Sequence, residues 1–136
     1  MTRSSPRTPV RTKAATSVKP VSPGLHGLID YGLAACNLLL PNALGMSRPA
    51  RRVFAAFGIA QGLLNAVTVQ PLAVSKTVPF ALHGLLEKSS APLWFGVPPL
   101  LGLARQRKAR TYWLVVGAAL VVVYNLTDWT AAPSDR

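Results

Sequence analysis

Apolar residues fill four long blocks of this chain, and charged residues fall almost entirely between or outside them. The blocks run approximately over residues 24–45, 53–69, 78–103 and 112–129. Each is close to the roughly 17 to 25 residues that a helix needs to cross a bilayer. Backbone groups cannot stay unpaired in lipid, and the blocks lack the alternation of barrel strands. The pattern therefore predicts an all-α protein, an integral membrane four-helix bundle.

Two segments of the chain are nearly identical at a spacing of 57 positions. The sequence LHGLID at 25–30 corresponds to LHGLLE at 82–87, and the match continues at the same offset through Pro41/Pro98, Gly45/Gly102 and Arg48/Arg105. Self-similarity at a fixed offset indicates an internal duplication. We therefore predict two tandem two-helix repeats. Because each repeat holds an even number of spans, the repeats are parallel and related by a pseudo-twofold axis along the membrane normal.

The ends of the chain differ in composition from the apolar blocks. Residues 1–21 are rich in Ser, Thr, Pro and basic residues and contain no acid, so we predict a disordered basic N-terminal tail. The four-helix transmembrane domain is expected at 22–130, with repeat one at about 22–71 and repeat two at about 77–130. Residues 131–136 form a short C-terminal tail.

The strongly basic balance indicates where the protein resides. The net charge is +11, and the cations lie in the tail and in two short loops that flank apolar blocks. We expect the lipid bilayer as partner, with anionic lipid contacts through the tail and loops, and no nucleic acid. The predicted location is multi-pass in a bacterial cytoplasmic membrane. An organellar membrane is the alternative, because an Arg- and Ser-rich start without acids also fits a transit peptide.

Small residues indicate how the helices pack. Gly27 and Gly84 follow the two histidines directly, and Gly58 and Gly62 form a small-xxx-small pattern in the second block. Such glycines let neighbouring membrane helices approach closely, so we predict that all four serve helix packing. The pattern fits packing within one bundle and also packing between copies in a homo-oligomer.

Several residues predict helix ends and interhelical bonds. Ser22 and Thr77 are expected to cap the first and third helices, and glycines 45 and 102 to end the same helices in left-handed turns. Prolines 92, 98 and 99 are expected to kink or shorten the third helix. Amide side chains at membrane depth are expected to form interhelical hydrogen bonds: Asn37, Gln61, Asn65 and Asn125.

Histidine and carboxylate residues supply the candidate chemistry. His26 and Asp30 are four positions apart, as are His83 and Glu87, so each pair lies on one face of its helix. If the pairs meet across the axis, two imidazoles and two carboxylates form a set suited to Zn²⁺, Mn²⁺ or Fe²⁺. The alternative is two separate histidines near helix starts, each bonded to its own neighbours. No cofactor other than this divalent metal is predicted.

Two motifs resemble known small membrane proteins. His26-Gly-x-x-Asp30-Tyr31 together with a later Pro-Phe-x-x-His-Gly-x-x-Glu at 79–87 is similar to a set of four-span bacterial membrane proteins with no assigned activity. The sequence SAPLW at 90–94 resembles SPW-repeat membrane proteins, with two residues inserted. The resemblance covers about residues 22–129 and implies architecture rather than an activity.

The sequence excludes familiar soluble enzyme classes. It contains no hydrolase nucleophile elbow, phosphate loop, dinucleotide fingerprint or zincin motif. The first interpretation is therefore a structural or accessory membrane protein that is not an enzyme. The alternatives are a metal-binding or proton-relaying protein that uses the paired His and carboxylate residues, and a membrane enzyme that uses the same site on a lipid or quinone.

Overall fold

The computed structural model describes residues 19–132, which form four long helices. These are α1 (Pro23–Ala43), α2 (Arg48–Val67), α3 (Phe80–Leu100) and α4 (Arg107–Leu126), with a short 3₁₀ helix at Leu103–Arg105. Within 19–132 the only β-type pairings are two isolated bridges, Val21 with Thr127 and Thr68 with Val78. The all-α prediction is confirmed for this part of the chain.

The helix lengths match in pairs. Helices α1 and α3 have 21 residues each and begin 57 positions apart, whereas α2 and α4 have 20 residues each and begin 59 apart. The second connection, 101–106, is two residues longer than the first, 44–47, and contains the 3₁₀ turn. Arg48 therefore corresponds in helix position to Arg107, and not to Arg105 as the constant offset suggested.

The helix ends follow the sequence signals in part. The Ser22 side chain accepts a hydrogen bond from the backbone N–H of Leu25, as expected. Thr77 does not cap α3, because its hydroxyl donates to the Val67 carbonyl and α3 begins after Pro79 without a side-chain cap. Gly45 and Gly102 have φ angles of 62° and 72°, which are the predicted left-handed turns.

The prolines do not shorten α3. Pro92, Pro98 and Pro99 all lie inside the helix, which continues to Leu100. Each proline removes one backbone donor. Pro98 and Pro99 lie in the last turn of α3, so the helix ends soon after them in any case. The expected shortening is thus not observed.

Helices α1 and α2 approach each other at a glycine. A Cβ atom on Gly58 would lie 2.9 Å from the Ala34 carbonyl oxygen, closer than real Cβ contacts allow. A Cβ on Gly62 would lie 3.5 Å from the Ala34 side chain, an ordinary contact. Gly58 therefore sets the spacing of α1 and α2, with Gly62 one turn further along.

The interior of the bundle changes character along its length. The end at which α2 and α4 begin holds an apolar core that includes Phe54, Trp94, Leu103 and Tyr112. At the other end, where α1 and α3 begin, the buried side chains are mostly polar: His26, Asp30, Asn65, Thr68, Gln70, His83 and Thr127. Since buried polar groups cost free energy unless they are paired, the polar end is the candidate for function.

Three of the four amide side chains bond between helices, as expected. The Tyr112 hydroxyl donates to Asn37, and the Asn65 amide donates to the Gly27 carbonyl. Gln61 of α2 donates to Asp30 of α1. Asn125 instead donates to the Val121 carbonyl of its own helix.

The outer surface is strongly apolar. Among residues 19–132, 22 large hydrophobic side chains are exposed. One helix in this range, Arg107–Leu126, is long and apolar enough to cross a membrane by length and composition alone. Basic residues gather at the opposite end of the bundle from the polar interior, where Lys108 donates to the Leu44 carbonyl and Arg51 to Asn42.

The two predicted tails lie largely outside the described residues. Of the N-terminal tail, 1–21, only residues 19–21 are described, and of 131–136 only 131 and 132. Val21 belongs to the fold, because it is 6% exposed and its N–H donates to the Leu126 carbonyl. The fold therefore includes Val21, which the predicted boundary at residue 22 assigned to the tail.

Candidate metal centre

The four candidate metal ligands meet in one cluster between α1 and α3. His26, Asp30, His83 and Glu87 each offer a ligand atom, and these atoms all lie within 4.8 Å of one another. The two imidazole rings have centroids 5.3 Å apart and are nearly perpendicular. The histidines therefore share a single site and are not two separate residues at helix starts.

The distances within the cluster have the scale of a coordination sphere. Asp30 Oδ2 lies 3.3 Å from His26 Nε2 and 3.2 Å from His83 Nε2. The Glu87 oxygens lie 3.6 and 3.7 Å from the same two nitrogens. In a tetrahedral zinc site with bonds of about 2.0 to 2.1 Å, neighbouring ligand atoms are about 3.3 Å apart. The four residues therefore surround a space of suitable size.

Two threonines determine which nitrogen of each ring carries hydrogen. Thr127 Oγ1 lies 2.9 Å from His26 Nδ1, and Thr68 Oγ1 lies 2.7 Å from His83 Nδ1. Each threonine hydroxyl already donates its one hydrogen to a backbone carbonyl four residues earlier, so it can only accept from the ring. Both Nδ1 atoms are therefore donors, and in a neutral ring Nε2 carries the free lone pair.

The atoms that face the cluster lack hydrogen-bond partners. His26 Nε2, His83 Nε2 and Asp30 Oδ2 are buried and make no hydrogen bond with any residue in 19–132. Their side chains are each 1% exposed. The three atoms face one another at 3.2 to 3.3 Å, so either a protonated ring or a bound cation would satisfy them.

The outer contacts orient Asp30. Gln61 of α2 donates to Asp30 Oδ1 at 3.1 Å, which leaves Oδ2 directed between the two histidines. Hydrogen bonds of this kind hold metal ligands in one orientation in known metal sites. Gln61 and the two threonines are thus the supporting residues of the cluster.

Aromatic rings cover the cluster on one side. The Trp129 ring lies 4.7 Å from the His26 ring and stacks on Phe80 at 5.0 Å. A Cβ on Gly84 would lie 2.5 Å from the Trp129 ring, and a Cβ on Gly27 would lie 2.5 Å from the Gln70 side chain. These two glycines make room for side chains from the segments after α4 and α2, and the Gly27 carbonyl also accepts a hydrogen bond from Asn65 of α2.

A cavity adjoins the cluster on the Glu87 side. It has a volume of about 470 Å³ and lies between α2, α3 and α4. His83 and Glu87 form part of its wall, together with Gln61 and mostly apolar side chains. Glu87 is 17% exposed, in contrast to the 1% of the other three cluster residues. Of the four cluster residues, Glu87 is therefore the most accessible.

Asp128 lies near the cluster in sequence but does not join it. The hydroxyl and the backbone N–H of Thr130 donate to its carboxylate, and these bonds hold the pKa of Asp128 below its ordinary value. Its partners belong to a local turn after α4.

The threonines are the functional residues that sequence reasoning missed. Thr68 and Thr127 are 59 positions apart, so a search at the constant offset of 57 does not pair them. The connection between α3 and α4 is two residues longer than that between α1 and α2, and allowing for this gives a run of matches: Arg48/Arg107, Ala50/Ala109, Arg51/Arg110, Gly58/Gly117 and Thr68/Thr127. A sequence comparison at an offset of 59 would therefore have paired Thr68 with Thr127.

The donor set is two imidazole nitrogens and two carboxylate oxygens, a combination typical of Zn²⁺, Mn²⁺ and Fe²⁺ sites. The ring tautomers, the convergence of buried ligand atoms and the ligand spacing all fit such an ion. No protein-family model, curated protein or solved structure matches this chain.

Proposed function

We propose that this protein is a four-helix membrane protein that binds one divalent transition-metal ion through His26, Asp30, His83 and Glu87. One observation carries the proposal. Two imidazole Nε2 atoms lie 3.3 and 3.2 Å from one carboxylate oxygen in the buried interior, and hydrogen-bond geometry is met by neither pair. A metal ion would satisfy all three atoms at once and would be neutralised by the two carboxylates.

The competing functions would use the same four residues. In a proton relay or a structural ion-pair cluster, protonated rings would donate from Nε2 to the carboxylates. Both Nε2 atoms lie within ion-pair distance of Asp30 and Glu87 but do not meet hydrogen-bond geometry with either carboxylate, whereas a metal ion needs no proton between these atoms. A purely structural protein would also gain stability from an apolar interior at this end, since buried ion pairs are often no more stabilising than well-packed apolar residues.

The surface supports the membrane part of the proposal. The helices have 20 or 21 residues, which corresponds to a length of about 30 Å, the thickness of a bilayer core. Large apolar side chains are exposed on all four helices, 22 of them among residues 19–132, and apolar surface of this extent fits contact with lipid. Charged residues at the basic end would then contact lipid head groups.

The contacts also support a duplicated unit with pseudo-twofold symmetry. The helices agree in length pair by pair, and each histidine of one unit bonds a threonine at the end of the other unit's second helix. The two isolated bridges also join one unit to the other: Val21 of the first unit pairs with Thr127 of the second, and Thr68 of the first pairs with Val78 of the second. A metal at the centre would lie on the axis, with one His and one carboxylate from each unit.

Metal content is the first test. The purified wild-type protein should bind about one Zn²⁺ per chain, measured by titration calorimetry and by elemental analysis after dialysis. Asp30→Asn should bind far less, because an amide is a weak metal ligand. Asp128→Asn is the matched control and should bind like the wild type, since Asp128 is bonded to Thr130 instead. A wild-type protein that takes up no Zn²⁺, Mn²⁺ or Fe²⁺ would refute the proposal.

Membrane extraction is the second test. Because the outer surface is apolar on several helices, the protein should stay with membranes through carbonate and high-salt washing and should require detergent for release. The measurement is the distribution of tagged protein between pellet and supernatant. Release by salt alone would show that the helices do not span the bilayer.

A further inference from the structure

The cavity beside the cluster has an apolar mouth. Leu86, Leu93, Phe95 and Val121 line it, and all four side chains are also exposed on the outer surface. The volume of about 470 Å³ is within the range of sites that hold small organic ligands. With the helices spanning the bilayer as proposed above, the exposed side chains at this mouth face lipid, so the ligand would enter from the bilayer.

The other end of the cavity is polar and reaches the cluster. Glu87 and His83 belong to both the cavity wall and the cluster. The position in α4 that corresponds to Gln61 of α2 is Leu120, which also lines the cavity. Gln61 donates to Asp30, whereas a leucine cannot bond to Glu87. The Glu87 carboxylate is therefore left without the restraint that holds Asp30.

Lys88 supplies a positive charge at the polar end of the cavity. It lines the cavity, and among residues 19–132 it has no hydrogen bond or ion pair. Once a divalent ion is bound, the carboxylates of Asp30 and Glu87 balance its two charges. The Lys88 ammonium is then an uncompensated positive charge beside an apolar cavity, and a ligand with a negatively charged end would complement it.

We propose that the cavity binds a single-chain lipid that ends in a carboxylate. Its hydrocarbon chain would fill the apolar space between α2, α3 and α4, and its carboxylate would lie beside Lys88 at the Glu87 side of the metal. This inference rests on the proposed metal function for its charge balance. The apolar mouth indicates the hydrocarbon chain, and Lys88 indicates the acid.

The experiment uses a fatty acid that carries a photoreactive diazirine in its chain, and the matching fatty alcohol. The full-length protein in phosphatidylcholine vesicles is irradiated with each probe, and mass spectrometry locates the labelled peptides. The acid should label the cavity segments of α3 and α4 at least fivefold more than the alcohol does. Lys88→Gln should lower labelling by the acid to the level of the alcohol.

Two tryptophan variants separate the cavity from the general surface. Ala91→Trp places a large ring in the cavity wall and should abolish labelling there, whereas Ala35→Trp, on the exposed face of α1, should leave it unchanged. Equal labelling in both variants, or equal labelling by acid and alcohol, would overturn the proposal.

Zinc content is measured on the same samples to distinguish the two proposals. Bound zinc in Ala91→Trp shows that the variant is folded, so its loss of labelling is then due to the filled cavity. Wild-type protein that holds zinc but is not labelled in the cavity would refute the lipid site and leave the metal site standing. Protein that is labelled but holds no metal would refute the proposed metal function instead.

Discussion

Replacing either cluster histidine with alanine should cost nearly as much stability as replacing both. Asp30 Oδ2 faces both imidazoles at 3.2 to 3.3 Å, so the loss of one ring already disrupts the arrangement of the other three ligands. Groups within one network typically couple by about 0.5 to 3 kcal/mol. With Zn²⁺ present the coupling should be larger, because metal at about 100 times its Kd adds about 2.7 kcal/mol to the wild type alone.

Thermal unfolding in detergent checks this prediction. His26→Ala, His83→Ala and the double variant are compared with and without Zn²⁺. The control pairs His26→Ala with Leu39→Ala, which is exposed and lies about 20 Å further along α1. That pair should be additive to within about 0.5 kcal/mol. Additive losses for the two histidines, with no shift in Tm on adding Zn²⁺, would contradict a single metal site.

Removing a threonine hydroxyl should weaken metal binding without touching a ligand. In Thr68→Val the Nδ1–H of His83 loses its acceptor, so the ring is no longer held with Nε2 toward the metal. Loss of such a supporting partner typically lowers metal affinity by about 10- to 100-fold. Thr127→Val should act in the same way on His26.

Serine substitutions provide the matched controls. Thr68→Ser and Thr127→Ser keep the hydroxyl and should keep an affinity near that of the wild type. Zinc affinity measured by competition with a fluorescent chelator distinguishes the variants. If valine and serine variants bind zinc equally well, the threonines do not support the site, and the assignment of the Nδ1 hydrogens would have to be revised.

The sequence predicted the architecture and the four cluster residues better than it predicted their surroundings. Four apolar blocks and a repeated His-Gly motif are local patterns, and they led to four helices and to His26, Asp30, His83 and Glu87. Whether the two pairs meet depends on how α1 and α3 are placed in space, which no local pattern shows. The sequence argument therefore left one site and two sites open.

The partners of the cluster were not predictable because they depend on contacts distant in sequence. Thr127 reaches His26 across 101 positions, and its role appears only when the ends of α1 and α4 are adjacent. Gly84 was expected to pack against a helix, but the neighbour is the Trp129 ring from a non-helical segment. Both cases reflect segments after helices, where hydrophobic periodicity gives no information.

The covalent connection between the two units has a consequence for the cluster. A homodimer of identical two-helix chains would carry the same residue at both equivalent positions, so both carboxylates would be restrained or neither would be. In one continuous chain Gln61 can restrain Asp30 while Leu120 leaves Glu87 unrestrained. Under the proposed metal function, a single chain thus permits one restrained and one unrestrained carboxylate around the ion, a division that exact symmetry forbids.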